Sequence, residues 1–408
     1  MHNHNQKKTI LFGGDICLSD KVYNFSDGIM KLFNNSDYSI LNLEGPIIKN
    51  EKSYKEYPKA GPNIFQKRNI LAELKKLKVS YVGGANNHLI DYGKDGIEST
   101  IKILKKNNIK YGGFGLNLEE AKKEINLENS NISIICTCEE EFGIVTKNKA
   151  GCYSMYPQDI IEQIRDLKKK NKFIIIYAHG GGEKIPLPSK YVINRYKEFI
   201  NKGADLVVGH HPHVPQGFEQ YNNKFIFYSL GNFAHKYFKK DWGILLQIEV
   251  SPDKLEDYKI IPVSVNNNSV DILTDNQKYL EYIKTVSRIL RDKELFDAIH
   301  QEQSIMMYDS YYQKYFTELF VKNTALKNLG KEKIKKIFNK VFCSSSAVAP
   351  FVIKEKKDQL LLLHLIRNDS HKEFIETALK IKTNEIRNLR TNKSQKLFNS
   401  LNSFINNE

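Results

Sequence analysis

The side chains with the most chemical capacity in this 408-residue chain sit where apolar runs stop abruptly. The densest is Gly203-Ala204-Asp205-Leu206-Val207-Val208-Gly209-His210-His211-Pro212-His213. Gly203 is the residue type that closes a helix in a left-handed turn. Leu206-Val207-Val208 reads as a short buried parallel strand. Three histidines follow within four residues, and Pro212 stops the ladder. Ligands in open α/β sheets lie beyond the carboxyl ends of the strands, and clustered imidazoles there suit Zn, Mn or Fe. Neighbouring side chains on an extended segment point opposite ways, so His210 is expected behind the cluster rather than in it.

Other strand ends repeat the pattern. Thr9-Ile-Leu-Phe12 runs through Gly13-Gly14 to Asp15, and Tyr38-Ser-Ile-Leu-Asn-Leu43 runs to Glu44 before Gly45-Pro46 breaks the chain. Val79-Ser-Tyr-Val82 leads through two glycines to Asn86-Asn87-His88, and Phe173 to Ala178 delivers His179, followed by three glycines and Glu183. Asp15, Glu44, Asn87, His88, His179, His211 and His213 together offer carboxylates, an amide and imidazoles. That set is enough for two adjacent divalent cations sharing one carboxylate. Such pairs, about 3.5–4 Å apart, clamp the attacking and leaving oxygens of phosphoryl transfer.

The intervening segments predict elements able to aim these residues. Apolar periodicity predicts helices over Asn63 to Lys76, Gly96 to Asn107, Pro157 to Lys170 and Lys190 to Lys202. Ile109 to Gly115 reads as a short strand and turn, and Ile132 to Cys138 as a strand. Phe218 to Tyr221 and Phe225 to Phe233 form a hairpin whose Asn222-Asn223 turn suits type I′. Gly243 to Val250 and Tyr258 to Val265 complete a sheet. Strand and helix alternate to about residue 212 and hairpins follow, an α/β layered core with late antiparallel strands. The texture changes near Asn266-Asn267-Asn268. Residues 1–8 are expected as a disordered N-terminus, 9–268 as the catalytic-type domain and 269–408 as a helical C-terminal domain. Helices are expected over Tyr279 to Arg291, Gln301 to Asn323, Lys331 to Val341, Lys357 to Ile366 and Lys372 to Leu389. Leu360 to Leu363 with His364 reads as core, and Tyr308, Tyr311, Tyr312 and Tyr315 as a packing stripe.

The chain is 41% hydrophobic with mean hydropathy −0.48, and no apolar run is long enough to span a bilayer. Its start carries no apolar signal core, and its five cysteines form no paired framework, so a cytoplasmic protein is expected. The net charge of +15 is spread along the chain. With no aromatic-interleaved basic motif, nucleic acid is not the expected partner. A positive field would draw in an anionic small molecule or polymer.

Read jointly, Gly14-Asp15, Asn42-Leu-Glu44-Gly-Pro, Ala85-Asn86-Asn87-His88-Leu-Ile-Asp91-Tyr92-Gly93, His179-Gly, Gly203 to His213 and Tyr228-Ser-Leu-Gly-Asn-Phe233 resemble the CapA family. These are capsule and poly-γ-glutamate synthesis proteins within the calcineurin-like metallophosphoesterases. The resemblance implies a metallophosphoesterase layered α/β sandwich, here with a C-terminal helical extension, and two divalent metal ions (Mn, Fe or Zn). It implies Glu44 as bridging carboxylate, Asp15 and His213 at one metal, and Asn87, His179 and His211 at the other. His88 matches the non-ligand histidine that assists the transferring group or protonates the leaving oxygen. Asp91 is read either as its orienting carboxylate or as a helix-start residue. The superfamily's Asp-x-His opening is Asp15-Ile16-Cys17 here, which leaves the first metal with a thiolate or one ligand fewer. The expected function is a dinuclear hydrolase of a phosphate ester or related acyl centre in polymer synthesis. The alternative is a non-hydrolytic component that binds polymer or a synthetase partner.

Overall fold

The computed structural model describes residues 7–316 and 356–407, apart from Pro157, Asn171, 236–239 and Asn267. Most of the expected N-terminal segment 1–8, the helix expected at Lys331 to Val341 and the end of that expected at Gln301 to Asn323 lie outside the described residues.

Two sheets carry the fold. The nine-stranded one runs Asn24–Phe25, Ser269–Ile272, Leu255–Asn266, Lys240–Val250, Lys8–Cys17, Tyr38–Leu43, Tyr81–Gly83, Lys110–Gly112, with Asn232–His235 also paired to Lys8–Cys17. The six-stranded one runs Pro215–Tyr221, Lys224–Leu230, Leu206–His210, Phe173–His179, Ile132–Cys138, Ile125–Asn126. Phe173–His179 and Ile132–Cys138 are buried at every residue, which is why they read as continuous apolar runs rather than alternating ones. The sheets meet face to face: the rings of Phe12 and Tyr177 lie 5.8 Å apart, and the Tyr177 hydroxyl donates to the Gly13 carbonyl at 2.8 Å. Helices Gln158–Lys169 and Lys190–Lys202 bury Ile160, Ile164, Val192, Tyr196 and Phe199 against Ile174, Ile176 and Val207 of the six-stranded sheet. The result is the layered α/β sandwich that the resemblance implies, with a helical region after it.

Local chemistry accounts for the boundaries. Ser189 caps Lys190–Lys202, and Gly203 closes it at φ +119. Asn222 and Asn223 take φ of 49 and 59 in the turn between Pro215–Tyr221 and Lys224–Leu230, as a type I′ hairpin demands. Several expected helices need correction. Asn63 to Lys76 is helical only at Ile70–Lys76. The preceding stretch stays extended because the Gln66 amide is occupied in tying strand ends together. Its Oε1 accepts from Leu18 and Ser19, and its Nε2 donates to the Ile16 and Glu44 carbonyls. Asp292 and Asn368 act as N-caps, so two tail helices start early, as Lys293–Met307 and Asp369–Lys382. The second ends where Asn384 turns left-handed at φ 60. A π-turn, Tyr308–Tyr312, follows Met307 and buries Tyr312, whereas Tyr311 stays 39% exposed.

The Leu360 to Leu363 run is not core. Four consecutive helical positions face all round the axis, so Leu363 is exposed while His364 and Leu365 are buried. An unanticipated helix, Asn392–Asn407, buries Phe398, Leu401 and Ile405 despite its Asn/Ser-rich sequence. The helical region packs on the sheets. Phe218 N–H donates to Ser287 of helix Gln277–Arg291 at 3.0 Å, and Phe404 packs edge-on to Trp242 at 5.8 Å. No helix among the described residues is long and apolar enough to cross a membrane.

Candidate metal centre

Parallel pairing brings the polar strand ends to one place. Asp15 lies in register with Asn42, and His179 with both His210 and Cys138. The Asn42 amide reaches across both sheets, donating to Asp15 Oδ1 at 2.7 Å and lying 3.1 Å from His179 Nδ1. Beyond Tyr81–Gly83, the Asn86 side chain anchors the turn by donating to the Leu43 carbonyl and accepting from His88 N–H. That anchor presents Asn87, and Asn87 Oδ1, His179 Nε2 and His211 Nδ1 converge, with His179 Nε2 at 3.1 and 3.0 Å from the other two. On the other side, Glu44 Oε1 lies 3.8 Å from His213 Nε2, and His213 Nδ1 lies 3.4 Å from Asp15 Oδ2. All six expected ligand residues therefore share one cluster.

His88 stands at its edge, with Nε2 4.0 Å from Glu44 Oε1 and Nδ1 2.7 Å from Asp91 Oδ2. Helix Gly93–Lys106 starts at Tyr92 with no side-chain cap. Asp91 is committed instead to His88 and to the Ile64 N–H. Lys59, which sequence reasoning did not single out, lies 2.6 Å from Asp91 Oδ1 and 2.9 Å from His88 Nδ1 with a fully buried side chain. Nothing in its sequence neighbourhood marks it, because the loop carrying it has no regular pattern. His210 is buried behind the cluster, its ring 4.0 Å from that of Tyr177, as strand alternation requires.

Two further residues join. Among the described residues, the groups whose ligand atoms all lie within 4.8 Å of one another are Glu44/His213/His235 and Glu183/His211/His213, and Cys17 is in neither. His235 Nε2 is 3.1 Å from Glu44 Oε2. It sits two residues beyond the Ser-Leu-Gly-Asn-Phe run, and its only sequence signal is being a histidine shortly past Asn232 on the same short strand.

The electrostatics match a cation site. Burial pushes His211 and His213 down to about 4 and His210 to about 3, and holds His179 well below its ordinary value. These imidazoles are neutral at pH 7, with lone pairs to offer. Burial and the neighbouring Glu44 raise Asp15 well above the carboxylate range. Burial alone would raise Glu44 too, but His213, His235 and His88 reverse that and hold it well below. Two fully buried carboxylates side by side repel until a cation lies between them. Glu44 Oε1 makes no hydrogen bond, a costly state for a buried charge. His211 and His213 take φ of 98 and 57, and non-glycine residues in this region cost about 1–3 kcal/mol each and gather at functional sites. The donor set fits divalent transition metals: Asp15, Glu44 and His213 on one side, Asn87, His179 and His211 on the other.

Face-to-face sheets with carboxylates, an amide and imidazoles gathered at parallel strand ends define a layered α/β protein with a candidate metal centre. The chain belongs to the CapA-type bacterial capsule synthesis protein family PGA_cap, whose model matches residues 9–237. It is 30% identical over 321 residues to the capsule biosynthesis protein CapA of Bacillus anthracis, covering 70% of this chain and 75% of that one. It is 29% identical over 258 residues to the PGA biosynthesis protein CapA of Bacillus subtilis (strain 168), covering 61% and 66%. Among solved structures, that of a hypothetical protein from Thermus thermophilus aligns with TM-score 0.38 at 10% identity, covering 63% of this chain and 99% of that one.

Proposed function

We propose that this protein is a dinuclear metal-dependent hydrolase acting on a phosphate ester or related acyl centre during synthesis of a capsule or poly-γ-glutamate polymer. The observation that carries the reading is the fully buried Glu44, whose Oε1 has no hydrogen bond while His213 and His88 nitrogens lie within 4.0 Å of it. Divalent cations supply Lewis acidity and charge neutralisation to phosphoryl chemistry. The chain's residues do the rest. Asn87, His179, His211, Asp15, Glu44 and His213 hold the cations, and burial keeps the imidazoles unprotonated so that they can. Asp91, itself fixed by Lys59 and Ile64, holds His88 at Nδ1 and turns Nε2 toward the cluster. From there protonated His88 would give its Nε2 proton to the leaving oxygen as the oxygen of a water molecule replaces it at phosphorus or acyl carbon. The net charge of +15 favours approach of an anionic substrate.

The test combines metal analysis of purified protein with a panel of aryl phosphate mono- and diesters and amides. The reading expects bound divalent metal and metal-dependent turnover, lost in His88→Ala and Asn87→Ala. Bound metal without turnover on any substrate, together with retention of polyglutamate, would establish the non-hydrolytic role instead.

A further inference from the structure

We propose that His235 replaces the histidine that the Asp-x-His opening of metallophosphoesterases provides, completing from a neighbouring strand the cation position that Cys17 leaves short. This rests on the metal-centre reading above and assigns a ligand to it.

The backbone register carries the argument. Asp15 and Cys17 are two residues apart on Lys8–Cys17, so their side chains share a face. Strand Asn232–His235 pairs parallel with this end of Lys8–Cys17, with Asp15 opposite Asn232 and, after a register shift between Asp15 and Ile16, Cys17 opposite His235. Side chains of paired residues leave the sheet on the same side, from strands about 4.7–4.9 Å apart. An imidazole at 235 therefore starts one strand away from where an imidazole at 17 would start, and its ring leans back toward Glu44 across that gap. Its Nε2 arrives 3.1 Å from Glu44 Oε2, and its ring lies 5.2 Å from that of His213 at 63°. Ligand atoms about 2.0–2.2 Å from a tetrahedral ion lie about 3.3–3.6 Å from one another. The separations of 3.1 Å (Glu44 Oε2 to His235 Nε2) and 3.8 Å (Glu44 Oε1 to His213 Nε2) fall either side of that spacing, each through its own oxygen of the one carboxylate.

The close pairing is built into the chain. A side chain at Gly14 would put its Cβ 1.8 Å from the Gly231 carbonyl, the group that accepts from Asp15 N–H at 3.2 Å. Only glycine lets Asn232–His235 lie this near Asp15. The same strand orients the other histidine: Asn232 Oδ1 accepts from His213 Nδ1–H at 2.9 Å, and Asn232 in turn donates to Asp241 at 2.6 Å. That leaves the lone pair of His213 Nε2 facing Glu44, the outer-partner arrangement that fixes the tautomer of a metal-bound histidine. One short strand thus brings a ligand and the device that aims a second.

The experiment is a positional swap. Wild type, His235→Ala, Cys17→Ala, Cys17→His and the double variant Cys17→His/His235→Ala are purified, checked for native thermal unfolding, and titrated with Mn(II), Zn(II) and Co(II). Stoichiometry comes from elemental analysis, and the ligand type from the Co(II) visible spectrum. The proposal expects wild type to bind two ions, His235→Ala to weaken one of them by at least about tenfold to a hundredfold, and the double variant to recover most of the loss. Cys17→Ala should bind as wild type, and Co(II) should show no sulfur-to-metal charge-transfer band. Undiminished binding of both ions by folded His235→Ala would overturn the proposal, as would a sulfur charge-transfer band lost in Cys17→Ala. If wild type binds no divalent ion at all, the metal-centre reading itself fails, an outcome distinct from either of these.

Discussion

Buried histidines occur in two regions of this molecule, and they are treated differently. In the helical region each has a local partner. His371 Nδ1 lies 2.6 Å from the Tyr312 hydroxyl, His300 Nε2 lies 2.7 Å from Glu373, and His364 stacks on Phe142 at 5.0 Å. The carboxylates between this region and the sheets are likewise engaged. Glu139 accepts from Ser370 N–H, the Ser370 hydroxyl and Gly181 N–H, and Glu373 accepts from the first two N–H groups of helix Lys190–Lys202. At the strand ends, by contrast, nitrogens and oxygens point at one another across 3.0–4.0 Å. One carboxylate oxygen there has no hydrogen bond, and the backbone is held left-handed at two histidines. In the helical region each pair joins two neighbouring elements. At the strand ends several ligand-type atoms converge on one place, the arrangement that a cation completes. Residue type does not separate the two regions; partner geometry does.

The comparison can be broken most sharply at Glu44. Glu44→Gln should lose divalent metal and reduce ester turnover to background, both read on the same preparation by elemental analysis and an aryl phosphate assay. Retained stoichiometry would mean that the ions are held without Glu44 and that its carboxylate does not bridge them. His88→Ala should cut turnover by about 10²–10⁴ while leaving metal content intact, because its nitrogens are directed at Asp91 and the leaving group. A fall in metal content would place His88 among the ligands.

On the helical side the readout is stability. Glu139→Ala strands three buried donors and should cost about 2–4 kcal/mol in urea unfolding with metal content unchanged. Burial also raises the Glu139 carboxyl to about 7. The folded chain therefore holds this proton more tightly than the unfolded chain does. The stability it contributes is full below about pH 4.3 and is lost as pH rises through about 7, on the order of 3 kcal/mol. Unfolding measured from pH 5 to 8 should show that downward slope, flattened in Glu139→Gln. An unchanged slope in the variant would assign it to other groups. The smallest effect belongs to Tyr312→Phe, which removes the partner of His371 Nδ1 and should lower stability by about 1 kcal/mol. A change in metal affinity from this substitution would couple the two regions that the geometry separates.

Much of the site could be read from the chain alone. Asp15, Glu44, Asn87, His179, His211 and His213 each stand past an apolar strand, next to or near a glycine or proline break. Parallel strands put their carboxyl ends on one edge, so a local pattern carried long-range information. Strand alternation likewise set His210 behind the cluster, and Gly203 and Asn222-Asn223 marked their turns because few residues tolerate positive φ. The misses share a cause as well. The stretch before Ile70 has helical periodicity, yet Gln66 stabilises the fold more as an extended bridge between strand ends than as part of a helix. The Leu360 to Leu363 run is hydrophobic, but burial depends on which face of the helix meets a neighbour.

Sequence alone determined the alternation of strands and helices and the chemistry at their tips, because periodicity, turn residues and ligand types are properties of short segments. Only the tertiary structure decided that Lys59 meets Asp91 and that His235 stands opposite Cys17. The first contact depends on how an irregular loop folds back over the site, the second on which strands pair across more than two hundred residues and how closely Gly14 lets them approach; no short segment contains that information.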